Sequence, residues 1–462
     1  MNNNNTSKYR MDMCSGAVLP KMLSFCMPIM ASSVLQLLFN AADIIVVGRF
    51  AGDNSLAAVG STSSLVNLMV NLFIGLSVGA NVAVARFYGA KLERDLSKAV
   101  HTAMTISLIS GVFLTVVGVI GAPFFLRLMS SPENVLPLAS KYLRIYFCGM
   151  TASMLYNFGA AVLRAVGDTK RPLYYLFAAG VINFILNLIF VIAFRMDVAG
   201  VAVATIISQM ISAALVVRCL IKEKGGVHLD LKKLGIDKQK LLLIMQVGIP
   251  AGLQGCMFSL SNVVIQSSIN LFGDIVVAGN AAAMNLEGFM YVAMNCFHQG
   301  TISFVGQNFG AGKYDRIGKI VAVSTGCVLV TAAGLAVFML AFGKAALGIY
   351  STNPDVINAG IIRVMIIAPT YFLLGIMDIY VGALRGLGYS MYPMVSSLIG
   401  VCGLRLLLIA LIFSQPQYHV LQTIYYTYPL SWLAAFLANF IFFLIVLQRM
   451  KTTKKAAGSA EE

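Results

Sequence analysis

The chain has 462 residues, of which 59% are hydrophobic and only 11% are charged. This composition excludes a water-soluble globular protein, because too few polar residues are present to cover the surface of a chain of this length. The eight cysteines occur singly, without the spacing of a zinc site or a disulfide framework. We therefore predict an integral membrane protein with no bound metal and no cofactor.

Apolar runs of about twenty residues, each long enough to cross the hydrocarbon core of a bilayer, recur along almost the whole chain. The first stretch, Met1–Lys21, is polar and lacks the apolar core and cleavage site of a signal peptide, so we expect the first span to remain in the protein. Twelve transmembrane helices are predicted, centred near residues 32, 70, 110, 150, 183, 208, 256, 290, 331, 371, 403 and 435.

The formal net charge of +15 invites a nucleic-acid partner, but the distribution of the charge argues against one. The two tails and the even-numbered loops hold 25 of the 33 Lys and Arg, whereas the odd-numbered loops and adjoining helix ends, including Arg363, hold 7. Only Arg405 falls inside a predicted span. This is the positive-inside bias, and it predicts a protein of the cytoplasmic (inner) membrane with both termini in the cytoplasm.

The chain also contains two copies of one unit, offset by 221 residues. Most of the residues that match at this offset are Gly, Pro or charged, types that encode turns and topology. The matched pairs include Gly52 and Gly273, Asp53 and Asp274, Gly79 and Gly300, Gly89 and Gly310, Arg164 and Arg385, Gly167 and Gly388, and Pro172 and Pro393. Duplicated helical halves recur in secondary transporters, so transport is the first hypothesis.

The fold predicted from these patterns is all-α, with twelve transmembrane helices in two pseudo-symmetric six-helix lobes. An even number of spans in each half makes the repeats parallel. The expected divisions are a cytoplasmic tail (1–17), the N-terminal lobe (18–220), a cytoplasmic linker (221–240), the C-terminal lobe (241–448) and a second cytoplasmic tail (449–462).

Three of the 18 acidic residues lie inside apolar spans: Asp43, Glu287 and Asp378. An ionised carboxylate is costly in a low-dielectric environment, so each of the three is a candidate functional residue. A single buried acid can exchange a proton for Na⁺ or for a cationic drug. This competition between cations is the chemistry that an antiporter requires.

Asp43 is the leading candidate, because it follows Gln36 and Asn40 on one face of the first helix. Such a polar stripe favours a water-filled cavity over lipid. We predict that Asp43 couples a cation, that Gln36 and Asn40 bind substrate, and that Pro28 is a hinge where the helix bends. The alternative is that Asp43 only caps the outer end of the span.

The other two acids are weaker candidates. Glu287 lies among Met and aromatic residues and could select cationic substrates, or it could simply be held by a neighbouring amide or hydroxyl group. Asp378 and Arg405 lie on consecutive spans, and we predict that they form a structural ion pair.

Three segments carry a resemblance to a known family: QLLFNAADIIVVGRFAGDNSLAAVG, FVGQNFGAGKYDRIGK and the two turns of pattern L-R-x-x-G followed by Pro. Together they resemble the MATE family, the multidrug and toxic compound extrusion transporters, over about residues 18–448. The chain is more similar to the DinF-like branch, since its seventh span contains no acidic residue. The resemblance implies twelve helices, a central cavity, and export driven by a gradient of H⁺ or Na⁺.

The resemblance also implies partners for Asp43. The family pattern N-x-x-x-D corresponds here to Asn183 and Asn187, so the second acid of the family's cation site is an amide in this chain. Thr205 belongs to the next motif, and an amide expected in the fourth span corresponds to Asn157, a candidate substrate-binding residue. Interhelical hydrogen bonding is the alternative role for Asn183, Asn187 and Thr205.

The function predicted from the sequence is a monomeric, H⁺- or Na⁺-coupled antiporter that exports amphipathic organic cations by alternating access. A flippase for lipid-linked saccharides is the alternative, although only Arg405 fits the buried cations expected of such a protein. An enzyme is not predicted, because no paired His, no Ser-His-Asp set and no phosphate-binding Gly loop is present.

Overall fold

The computed structural model describes residues 9–50, 53–129 and 135–458. Regular structure in these ranges is helical throughout. The α-helices in chain order are α1 (Val18–Phe50), α2 (Asp53–Gly89), α3 (Glu93–Leu128), α4 (Leu136–Cys148), α5 (Met150–Ala165), α6 (Lys170–Leu188), α7 (Asp197–Lys222), α8 (Lys238–Asn270), α9 (Asp274–Gly310), α10 (Tyr314–Gly348), α11 (Pro354–Gly386), α12 (Met391–Ser397), α13 (Leu404–Leu408) and α14 (Leu421–Gly458).

Within the described ranges, eleven helical stretches are long and apolar enough to cross a membrane. The predicted fourth span corresponds to α4 and α5, of 13 and 16 residues, which are separated at Gly149. A β-carbon on Gly149 would lie 2.7 Å from Oε1 of Gln209 on α7, so the chain is closely packed against α7 at this break. The predicted all-helical membrane fold is confirmed, and the chain is a multi-pass membrane protein.

The described residues form two compact units. The first contains residues 9–12 and 27–252, and the second contains residues 13–26 and 253–458. These units follow packing, whereas the two lobes predicted above follow the order of the repeat along the chain. The chain passes between units inside α1, next to Pro28, and inside α8, next to Pro250.

The first unit packs α2, α3, α4, α5 and α7 around one hydrophobic core, and α6 packs on α7. Fully buried aromatic residues of α4 and α5, Phe147 and Phe158, lie in this core. In the second unit α11 is central and packs against α9, α10 and α14. Neither unit contains a strand among its described residues, so backbone hydrogen bonds are satisfied within each helix, as a bilayer requires.

Glycines let α8 approach α2 inside the first unit. A β-carbon on Gly79 would lie 2.2 Å from the carbonyl oxygen of Ile244, and one on Gly75 would lie 2.2 Å from the backbone nitrogen of Gly252. Only glycine fits at such distances. Gly300, the repeat partner of Gly79, has the same role in the second unit, where a β-carbon would meet the sulfur of Cys26 on α1 at 2.9 Å.

Two π-helical turns occur at nearly equivalent places in the repeat. One, Ile189–Ala193, extends α6, and the other, Ile409–Phe413, extends α13. A further π-helical segment, Leu398–Gly403, separates α12 from α13. Such turns widen a helix locally and are frequent near functional sites.

Substituting Gly79 tests the α2–α8 contact. We expect Gly79→Ala to lower the free energy of unfolding by about 1–3 kcal/mol, because the new methyl group has no room beside the Ile244 carbonyl. The matched control is Gly60→Ala on the same helix, where nothing lies within 4 Å of the added carbon. Thermal unfolding in one detergent measures both variants, and equal melting temperatures would contradict the proposed contact.

Candidate functional site

The polar stripe of α1 lines a cavity of about 180 Å³ inside the first unit. Helices α5, α6 and α7 provide the other walls. The lining residues are Gln36, Phe39, Asn40, Asp43, Ser153, Tyr156, Asn157, Leu176, Ala179, Gly180, Asn183, Thr205, Ser208, Gln209 and Ser212. Asp43 is the only acidic residue among them, so a single carboxylate faces a wall of amides and hydroxyl groups.

A continuous hydrogen-bonded chain starts at Asp43. Asn187 Nδ2 donates to Asp43 Oδ1, and the same nitrogen donates to Asn183 Oδ1 at 3.2 Å. Asn183 Nδ2 in turn lies 3.5 Å from Thr205 Oγ1. These contacts join α1, α6 and α7, and they bring together all four residues predicted for cation coupling.

The negative charge of Asp43 is balanced only by neutral dipoles. In the described part of the chain Asp43 forms no ion pair. Its partner Asn187 is fully buried, and Asn187 Oδ1 has no hydrogen-bond partner. An unsatisfied buried acceptor costs about 1–3 kcal/mol, and a cation or an acidic proton beside it would remove that cost. The arrangement suits reversible capture of a cation.

The local sequence of α6 explains why both amides belong to this hydrogen-bonded chain. Asn183 and Asn187 are one turn apart, so they share a face of the helix. The π-helical turn Ile189–Ala193 begins two residues after Asn187 and is closed by the bond from Phe194 N to Ile189 O at 3.0 Å.

The cavity also contains polar residues that the sequence analysis did not select. Gln209 and Ser212 line it from α7, together with Thr205. Spacings of four and three residues place these side chains on one face of α7, the same signal that identified the stripe on α1. Asn157 lines the cavity as predicted, and its Nδ2 donates to Ser153 O in its own helix at 2.9 Å.

Glu287, in the second unit, is not a free carboxylate. Its two oxygens accept hydrogen bonds from Arg363 Nε at 2.6 Å and Arg363 Nη2 at 2.7 Å. Arg363 also donates to Asn280 Oδ1 at 2.9 Å. From the sequence, Arg363 was expected in an odd-numbered loop or the helix end next to it; the structure places it within α11, where it is 2% exposed. Arg405 is therefore not the only cation inside a predicted span.

The expected ion pair between Asp378 and Arg405 is not formed. Arg405 Nη2 instead donates to Ser431 Oγ at 2.9 Å, and its guanidinium carbon lies 4.2 Å from the centre of the Tyr428 ring. Two side chains on consecutive spans meet only if they lie at the same depth in the membrane and on the helix faces that point toward each other. Here Arg405 is directed to α14 rather than to α11.

Asp378 is connected to a different buried network. The backbone carbonyl oxygen of Asp378 accepts a hydrogen bond from His298 Nδ1 at 2.6 Å. His298 Nε2 is therefore an acceptor, and it lies 3.4 Å from Arg385 Nη1. Arg385 Nη2 donates to Gln254 Oε1 at 2.7 Å, and Gln254 Nε2 donates to Ser397 Oγ at 2.8 Å. Most of the buried polar side chains named in this unit thus form hydrogen bonds with one another.

Comparison with known families decides the identity of the fold. The family model MatE matches the chain twice, over residues 28–189 and 250–411, together more than half of its length. The chain belongs to the MATE family. The two matches correspond to the repeat found in the sequence, and each begins at a proline, Pro28 or Pro250. MATE proteins are transporters, so transport rather than enzymatic catalysis is the function of the chain.

Individual MATE-type proteins are similar over nearly their whole length. The probable multidrug resistance protein YpnP of Bacillus subtilis (strain 168) is 30% identical over 398 residues, which cover 85% of this chain and 88% of YpnP. The probable multidrug resistance protein YoeA of the same strain is 26% identical over 445 residues, covering 95% and 96%. The crystal structure of MATE in the bent conformation superposes with a TM-score of 0.89 at 20% identity, covering 96% of this chain and 98% of that one.

The ion pair of this MATE chain gives a testable prediction. We expect Glu287→Gln to lower the free energy of unfolding by about 3–5 kcal/mol, because it leaves the buried Arg363 without a countercharge. The double variant Glu287→Gln with Arg363→Met should recover most of that loss. Thermal unfolding of both variants measures the effect, and equal stability of the single variant and the parent would contradict the pairing.

Proposed function

We propose that this MATE chain is a cation-coupled antiporter that exports amphipathic organic cations by alternating access. The two six-helix lobes, 18–220 and 241–448, would rock to open the pathway first to one side of the membrane and then to the other. The protein would act as a monomer in the cytoplasmic membrane with both termini in the cytoplasm, in agreement with the distribution of Lys and Arg.

One observation carries the proposal. Among the residues that the structure describes, Asp43 lines the cavity of the first unit without an ion-pair partner, and Asn187 Oδ1 lies buried and unsatisfied on the residue that binds it. A coupling ion needs a negative group that can bind it and release it again. A carboxylate already neutralised by Arg or Lys could not perform that exchange.

The coupling cycle follows from the same contacts. When Asp43 is charged, it attracts either the coupling ion or the cationic substrate, but a single carboxylate is satisfied by one of them at a time. Arrival of the ion therefore displaces the substrate. Pro28 is the proposed hinge of α1, because it lies at the point where the residues of α1 pass from one compact unit to the other.

The coupling ion is H⁺ or Na⁺. One carboxylate with neutral oxygens from Asn183, Asn187 and Thr205 could bind Na⁺ weakly, and Asp43 alone could take a proton. Helix α8 contains no acidic residue, which supports placement in the DinF-like branch.

The substrate-binding residues proposed are Gln36, Asn40 and Asn157, which line the same cavity as Asp43. The relatives YpnP and YoeA carry the description of multidrug resistance proteins, which agrees with export of varied organic molecules. Glu287 is not part of the proposed cation-selecting surface, because Arg363 already occupies both of its oxygens.

A flippase for lipid-linked saccharides is the second candidate, and one observation favours it. Arg405 is buried in the second unit, and its hydrogen-bond partner, Ser431, is neutral. Buried guanidinium groups could attract a pyrophosphate. Transport of a lipid-linked saccharide, with no response to organic cations, would favour this function.

Replacing Asp43 tests the antiporter proposal. Either a pH gradient or a Na⁺ gradient is imposed across the membrane of everted vesicles. The parent protein should transport a fluorescent organic cation when one of these two gradients is present. We expect Asp43→Asn to abolish this transport, because the variant can no longer bind the ion through a charge. The control is Asp274→Asn, an exposed acid at the start of α9. Full gradient-driven transport by Asp43→Asn would contradict the proposal.

Two amides of the first unit separate ion coupling from substrate binding. Asn187→Leu removes the donor to Asp43, so about ten times more coupling ion should be needed for half-maximal transport. Asn157→Leu removes an amide whose nitrogen bonds only within its own helix, and it should change the substrate KM while leaving the ion dependence unchanged. The same shift in ion dependence for both variants would show that Asn187 has no special role.

A further inference from the structure

The segment between α7 and α8 is folded against α3 inside the first unit. Gly226 N donates to the carboxylate of Glu93, at the start of α3. Further along, Asp230 N donates to His101 Nε2 at 3.1 Å. Glu93 and His101 are eight residues apart, so the segment runs beside the helix for about 12 Å.

The segment then turns and runs back. Thr105 Oγ1 donates to Gly235 O at 3.3 Å, the deepest of these contacts along α3. Asp237 N donates to Thr102 Oγ1 at 3.1 Å, one turn closer to the start of the helix. Residues 226–237 therefore form a hairpin-shaped loop, the linker hairpin, whose tip is residues 231–236.

The tip lies level with the place where α3 becomes apolar. The charged residues of α3 lie in its first turns and its last turn, and none occurs between Lys98 and Arg127. The helix as a whole is long and apolar enough to span a membrane. Thr105 is seven residues beyond Lys98, so the tip of the linker hairpin lies at the height expected for the membrane–water interface.

Apolar side chains point outward at this tip. Leu231 is 55% exposed and Ile236 is 46% exposed. The position of Leu231 is fixed, because Leu231–Lys233 forms a 3₁₀ turn in which the Asp230 carboxylate accepts from Lys232 N at 3.0 Å. Two exposed apolar residues at the tip are explained if lipid, rather than water, surrounds them.

Positive charge surrounds the apolar tip. The acids of the segment are engaged within the protein: Glu223 pairs with Arg10 and Arg171, Asp230 pairs with Lys233 at 3.4 Å, and Asp237 pairs with Lys98 at 3.0 Å. The hydrogen bond from Lys98 holds the pKa of Asp237 below its usual range. The exposed lysines of the tip are Lys232 and Lys233.

We propose that the tip of the linker hairpin inserts into the headgroup region of the bilayer, where Leu231 and Ile236 contact the acyl boundary and the lysines bind anionic phospholipid headgroups. Apolar residues flanked by lysines are the combination that binds an anionic membrane surface. The anchor would hold the start of α3 and the end of α7 at a constant depth. This role of the linker hairpin does not depend on which ion or substrate is transported.

Tryptophan fluorescence tests the insertion. The chain has one native tryptophan, so a second one gives a difference signal against the parent. In bilayers of brominated phospholipid, Leu231→Trp should be quenched by the lipid and protected from acrylamide. The matched control is Gln239→Trp, also exposed but next to Lys240, which pairs with Asp95 near the start of α3 at 2.8 Å. Equal lipid and acrylamide quenching at both positions would overturn the proposal.

Lipid charge is tested in the same variant. Brominated phosphatidylglycerol should quench Leu231→Trp more strongly than brominated phosphatidylcholine, with a preference of about fivefold for each lysine at low ionic strength. Adding Lys232→Gln and Lys233→Gln should remove most of that preference, and Lys319→Gln, an exposed lysine of α10, should leave it unchanged. No preference in the parent linker, or one that survives the double substitution, would overturn the role of the lysines.

Discussion

A polar group inside a bilayer must find its partner within the protein, and this constraint explains the arrangement of every buried charge described above. The chain meets it in three ways. Arg363 is matched by a carboxylate, Arg405 by a hydroxyl and an aromatic group, and Asp43 by an amide alone. Only the last of these leaves a net negative charge that a mobile cation can neutralise. The candidate site is the place where the constraint is met least completely.

The two halves of the repeat have similar helices and turns, but the candidate cation site occurs in only one of them. Gly79 and Gly300 both permit close helix contacts, and π-helical turns occur at nearly the same place in each half. At the offset of 221 residues, however, Asp43 is matched by Val264 and Asn187 by Leu408. The features that build helices and turns were kept, whereas Asp43 and its amide partner Asn187 occur in one half only. A function based on Asp43 is therefore asymmetric within a nearly symmetric fold.

The linker shows how the same constraint acts at the edge of the membrane. Backbone N–H groups of the linker donate hydrogen bonds to side chains of α3, including Glu93 and His101. The acids of the linker are paired within the protein. What remains exposed is apolar or positively charged. A segment that joins two halves of a transporter is thereby also a surface fitted to anionic lipid.

Sequence alone determined the class of the protein, its repeat and the helical face that carries Asp43. These are properties of composition and of residue spacing, which local geometry fixes before any tertiary contact forms. The glycines of the repeat were likewise visible, although the close approach that requires them was not. The stripe of Thr205, Gln209 and Ser212 on α7 could have been found by the same spacing argument.

Only the tertiary structure decided which buried charges meet. Sequence gave no reason to pair Glu287 with Arg363 rather than Asp378 with Arg405, because pairing between spans depends on depth and on the direction in which each side chain points. The boundary of a span is also uncertain by a turn or more, which is why Arg363 was placed beside a loop. The free carboxylate of Asp43 could be predicted as a residue, but its neutral surroundings became known only when three helices were brought together.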